Sequence, residues 1–202
     1  MMPFIDCSNF ENIKKVISYG LSLINKYTEW DKSNLPNPEI FPEEDEYRIG
    51  VINYSFSCAI SYILAHEFSH AKFGHTGIDC KLSELAAEIE AEENALKMII
   101  RGIPENNEEV KFNISIGTIA GICSLFFFNS TLDNPNHPDC DARVKKYFEL
   151  LNIDEDDILW SIPCIAYQLW DIAYGKNLNF PNDEKNYKDL FLDLQEQEWG
   201  LR

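Results

Sequence analysis

From Glu43 to Thr76 the chain contains no proline, and glycine only at positions 50 and 74, before Gly77 interrupts it. So long a stretch without a strong helix breaker predicts one long helix, kinked or straight, carrying Tyr54 through His75. Pro42 followed by Glu43, Glu44 and Asp45 supplies a start, since carboxylates favour the positive end of the helix dipole. No run of alternating apolar and polar residues is long enough to build a large sheet. The expected class is therefore mainly α, with at most a small β element.

Residues 9–30 set Phe10, Ile13, Val16, Ile17, Leu21 and Ile24 at helical spacing and predict an amphipathic helix. Residues 31–42, with three prolines, predict an irregular connection. A second central helix is predicted over 82–101, stopped by Gly102 and Pro104, and further helices over 114–128, 141–151 and 158–174. The acidic segment 177–202 is either a docked helix or a frayed tail. In 202 residues, 45% hydrophobic content is enough for one sizeable core and predicts a single domain over 1–202, with 43–151 at its centre.

Asp and Glu number 34 against 17 Lys and Arg, a net charge of -17. A phosphate backbone is repelled by such a surface, which argues against nucleic acid; solubility or attraction of a basic protein substrate fits it. Residues 1–12 lack the basic segment, apolar run and small-residue site of a secretory signal, so a cytoplasmic location is expected. The six cysteines, scattered without a Cys-x-x-Cys pair, predict reduced, mostly buried thiols rather than a disulfide frame or a zinc finger. Residues 112–128 are apolar for nearly a spanning length, but Asn113, Ser115, Thr118 and Ser124 interrupt them, and the run falls short of the roughly 20 residues that a span needs. A buried core helix is expected there, without stable membrane insertion.

The chemistry is concentrated in His66-Glu67-Phe68-Ser69-His70, an HExxH pattern. On a helix, residues four apart project from one face, so both imidazoles can reach one ion, and Ala59, Tyr62 and Phe73 share their face. In the helix over 82–101, the apolar stripe of Leu85, Ile89, Leu96 and Ile99 is interrupted by Glu88 and Glu92. A carboxylate within such a stripe requires a cation or a partner. One zinc ion per chain meets that need, because two His, one Glu and a water make a catalytic zinc site.

His66, His70 and Glu88 are read as the ligands, and Glu92 as the carboxylate behind them that holds a histidine N–H or the neighbouring helix; the two glutamates could exchange roles. Glu67, beside His66, is free to act as general base toward zinc-activated water attacking a peptide carbonyl. The positions that a metzincin would fill with Gly and His hold Phe73 and Thr76. His75 comes one place too early and, at about 100° per residue, points opposite to His66, so a surface or structural role is expected of it. The alternative to a peptidase is a non-catalytic metal-binding regulatory or interaction protein. The free Glu67 counts against it, since structural zinc sites fill all four positions with protein ligands.

These residues resemble the gluzincin pattern shared by HtpX-like and CAAX prenyl-type proteases and by the Lit-type phage-exclusion peptidases. Residues 66–70 with Gly74 and His75 look like their active-site helix, and Glu88-Ile89-Glu90-Ala91-Glu92 is similar to their Glu-x-x-Ala-Asp helix, with Glu92 where that pattern has Asp. His137-Pro138 with Arg143-Val144 resembles the His-Pro and Arg element that follows. The resemblance implies a zincin-like helical domain, Glu88 as the third ligand, His137 beside the site as a candidate catalytic group that steadies a developing oxyanion, and Arg143 as ion-pair support. Read without the family, His137 is equally a turn residue that caps the next helix. With no clear spans, the compact Lit-type peptidases are the nearer pattern, and their implied activity is cleavage of a host protein in response to infection.

Overall fold

A computed structural model describes residues 10–35, 42–77, 80–128, 137–181 and 186–200. Among these residues seven α-helices form and no strand: α1 (Phe10–Asn25), α2 (Glu46–Phe73), α3 (Glu84–Arg101), α4 (Glu108–Cys123), α5 (Cys140–Leu151), α6 (Ser161–Tyr174) and α7 (Tyr187–Trp199). The mainly helical expectation holds.

The long helix α2 follows a single 3₁₀ turn at Glu43–Asp45 and runs unbroken through Gly50 to Phe73. It stops because Gly74 takes φ 72°, a left-handed conformation that glycine adopts without steric cost. The chain then folds back, and His75 N–H donates to the His70 carbonyl at 2.9 Å. Ser83 opens α3 by accepting Ala86 N–H on its hydroxyl at 3.2 Å. The fourth helix starts earlier than the expected residue 114, since Asn107 Oδ1 accepts Val110 N–H at 3.0 Å and Glu108 and Glu109 sit in the first turn. Its expected end at 128 is instead a 3₁₀ turn, Ser124–Phe127.

The chain divides into two compact units. The first holds α1, α6, α7 and the 3₁₀ turn Ile158–Trp160. Tyr167 and Trp170 of α6 and Leu190, Phe191 and Leu194 of α7 are fully buried, and the Trp160 and Phe191 rings lie 5.5 Å apart. Of the two readings of the acidic C-terminal segment, residues 187–199 therefore form a docked helix, which Asn186 caps by accepting Asp189 N–H at 2.8 Å.

The second unit holds α2 from Val51 onward, α3, α4 and α5. Gly117 and Gly121 of α4, one turn apart, set its distance from α2. A Cβ on Gly117 would stand 2.4 Å from the Ser55 carbonyl oxygen, and one on Gly121 would stand 3.0 Å from the Tyr62 ring. Glycine is required here for close approach rather than for a turn. Seven residues of α4 are buried, so this apolar run contributes to the core of its unit. By length and composition alone, Glu43–Phe73 and Glu108–Phe127 could each cross a membrane, and on α2 Ile52, Phe56, Leu64 and Phe68 are more than half exposed.

The inward face of α3 differs from the expected stripe. Leu96 is fully buried, but Leu85 and Ile89 are 39% and 45% exposed, and the buried positions are Ala87, Ala91 and Ala95, with Glu92 among them. Alanine at four-residue spacing lets backbones pack closely, and it brings the carboxylates of this face within reach of α2.

Candidate metal centre

Two imidazoles one turn apart on α2 meet one carboxylate of α3. His66 Nε2 lies 3.1 Å from His70 Nε2 and 3.1 Å from Glu88 Oε2, and His70 Nε2 lies 3.2 Å from Glu88 Oε1. Donor atoms around a tetrahedral zinc with bonds of about 2.0–2.1 Å stand about 3.3–3.4 Å apart; the nitrogen–nitrogen spacing is close to this, each nitrogen has a different Glu88 oxygen beside it, and one donor atom from each of the three residues lies within 4.8 Å of the others. The donor set is also one that zinc takes, and the side chains are 10–14% exposed, so the trio is mostly but not fully enclosed. These residues could hold a metal ion and fit a divalent one.

The electrostatics suit the same purpose. Burial, reinforced by His66 and His75, holds the His70 imidazole below its ordinary pKa against the pull of Glu88, which keeps its lone pair available. Burial alone would raise the Glu88 carboxyl, but His137, His66 and His70 outweigh it and hold the group below the usual carboxylate range.

Behind the trio lies a buried polar cluster. Glu92, only 6% exposed at its side chain, accepts from the Tyr62 hydroxyl at 2.9 and 2.7 Å and pairs with Arg143 at 3.3 Å. His66 Nδ1 stands 3.3 Å from Glu92 Oε2, in ion-pair range but outside hydrogen-bond geometry. Arg143 also donates from Nε to the Pro138 carbonyl at 3.2 Å and lies 3.7 Å from Glu88. Burial raises the Tyr62 hydroxyl pKa well above normal, and the Glu92 charge adds to this, so Tyr62 is a fixed donor.

Each residue singled out in the sequence can now be placed. His66, His70, Glu88, Glu92 and Arg143 converge. Glu88, not Glu92, has its oxygens beside both Nε2 atoms. His137 joins them, its Nδ1 3.0 Å from Glu88 Oε2 and its side chain 46% exposed. In the helix that follows, Asp139 and not His137 occupies the N-cap position, without a side-chain cap hydrogen bond. Glu67 is exposed, and its charge is felt at His70.

Three contributors escaped sequence reasoning. In the sequence Tyr62 is marked only as sharing the face of the two histidines. Asn94 of α3 donates to Ser69 Oγ at 2.8 Å and accepts from Lys72 at 3.1 Å, pinning the helices one turn beyond the trio. His75 does not face away: its Nδ1 lies 3.1 Å from His70 Nδ1, its Nε2 lies 3.0 Å from Glu90, and its side chain is 3% exposed. The 100° rule fails for it because the helix has already ended at Phe73, and the glycine at 74 was the available signal.

The peptidase U49 family model matches residues 4–163, which takes in every residue of this site. Cell death peptidase of Escherichia coli (strain K12) is 25% identical over 179 residues, 82% of this chain and 59% of that relative, so the chain spans about three-fifths of the relative's length. No solved structure matches. A family match that extends from the first helix past both imidazole and carboxylate helices, and on through His137 and Arg143, makes this chain a member of the peptidase U49 family.

Proposed function

We propose that this chain is a zinc-dependent endopeptidase of the gluzincin kind, resembling the Lit-type phage-exclusion peptidases, that hydrolyses a protein substrate. The observation that carries the reading is the convergence of His66, His70 and Glu88, one donor atom of each lying within 4.8 Å of the others, with an exposed carboxylate, Glu67, next to His66. The family, and the peptidase name of the E. coli relative, support the same reaction class.

His66 Nε2, His70 Nε2 and one Glu88 oxygen would hold the ion. The chemistry such an ion would supply there is a lowered pKa for a water and polarisation of a peptide carbonyl. Glu67 takes the proton from the attacking water on its carboxylate and returns it to the leaving amine. His137, half exposed beside Glu88, is the group placed to steady the developing oxyanion. Arg143 and Tyr62 neutralise and fix Glu92, so the charge behind His66 is held without exposing it to water.

A basic protein substrate fits the acidic surface, and a cytoplasmic workplace fits the five free thiols found among the described residues. Neither nucleic acid nor stable membrane insertion belongs to this reading. A defence role by cleavage of a host protein is part of the proposal. New protein termini that appear in cells making wild type but not Glu67→Gln would support it, and identical termini in both would end it.

The biochemical test is metal content of wild type, Glu88→Ala and Glu67→Gln. One zinc per chain is expected in wild type and Glu67→Gln and little in Glu88→Ala, with proteolysis in Glu67→Gln down by about 10²–10⁴-fold. A wild type without zinc after zinc-supplemented preparation overturns the reading.

A further inference from the structure

Beyond His70, His75 and Glu90 extend the site outward in a line. Resting on the reading of His70 as a metal ligand, the geometry points to His75 and Glu90 as a positioning pair that fixes the tautomer and ring orientation of His70. His70 Nε2 is on the donor side, 3.2 Å from Glu88 Oε1, so in the neutral ring that offers this lone pair the proton is on Nδ1. That proton faces His75 Nδ1 at 3.1 Å, which accepts it. The proton of His75 is then on Nε2, 3.0 Å from Glu90 Oε2, and Glu90 accepts in turn.

The opposite direction fails at both ends. If His75 Nδ1 donated to His70, the His70 proton would move to Nε2, inside the cluster of donors where no proton belongs. His75 Nε2 would at the same time present a bare lone pair to the Glu90 carboxylate. The negative charge of Glu90 therefore selects the His70 tautomer that a metal requires, acting through His75. Each ligand imidazole thus has its own α3 carboxylate behind it, Glu92 next to His66 and Glu90 one ring removed from His70. The left-handed turn at Gly74 makes this possible, because it returns the chain so that His75 lies edge-on to His70, ring centroids 5.1 Å apart.

The test is zinc affinity of the full chain, measured by competition with a chromophoric chelator, with far-UV circular dichroism to confirm the helical fold. His75→Ala is expected to weaken zinc by about 10–100-fold and Glu90→Ala by a smaller factor. Because Glu90 acts through His75, the double variant is expected to bind no more weakly than His75→Ala alone. His75→Gln, whose amide oxygen can accept the His70 proton, is expected to recover part of the loss. Wild-type affinity in His75→Ala, or losses that multiply in the double variant, would overturn the pairing while leaving the metal centre standing. A wild type that binds no zinc overturns both.

Discussion

Glu92 is enclosed by Tyr62, Arg143 and His66, and its neighbours are as buried as it is. A carboxylate placed so deep is tolerated only while its cation and its donor remain, since removing one partner of a buried pair leaves an uncompensated charge. Arg143→Leu is therefore expected to cost about 3–5 kcal/mol of stability, and Tyr62→Phe, which removes one hydrogen bond to a charged group, about 1.5–3 kcal/mol. Urea unfolding of the metal-free protein measures both, and an Arg143→Leu chain as stable as wild type would show that the pair is not closed to water. At this scale the sequence was partly legible. Two acids in an otherwise apolar stripe announced buried charge, and the family pattern named its arginine, but Tyr62 carried no mark that separated a donor from an ordinary core aromatic.

Helix α4 approaches α2 so closely that its glycines are part of the packing. Gly117→Ala would drive a methyl against backbone at Ser55, where nothing flexible can yield, and is expected to destabilise by about 1–3 kcal/mol. Gly20, inside α1 with open space around its Cα, provides the contrast: Gly20→Ala is expected to stabilise by about 0.5–1 kcal/mol through helix propensity. Thermal unfolding of the two variants should shift in opposite directions, and a shared direction would mean that space around these glycines does not decide the outcome.

Most of the helices were readable from breakers and periodicity, down to the stop at Gly102, but α1 ends at Asn25 rather than at 30, α4 begins at Glu108 rather than at 114, and α7 reads equally in the sequence as a docked helix or a frayed tail. Their faces were less readable. On α3 the large residues Leu85 and Ile89 drew the stripe toward themselves, whereas close packing selected the small Ala87, Ala91 and Ala95. Periodicity weights a side chain by its hydrophobicity, but an approach this tight rewards small volume.

Taken whole, the molecule is strongly acidic, with an isoelectric point near 4.5. Affinity for a nucleic-acid duplex rests on neutralising phosphates with Lys and Arg, so no saturable mobility shift of a short duplex is expected at physiological salt, and one that weakened steeply with added salt would contradict this.

The positions of the donors along the chain have a consequence for assembly. Glu88 follows His66 by 22 residues, on the next helix, whereas Arg143 follows Glu92 by 51. Bringing chain ends together costs an entropy that grows with the span closed, and domains take shape from the N-terminus during synthesis. If the proposed site holds an ion, its three donors would all be present once the second of two neighbouring helices has emerged, while the guanidinium that pairs with Glu92 has yet to be made. A cation taken up at that stage would offset the charge of two converging carboxylates before Arg143 arrives, and early loading would stabilise a half-made protein.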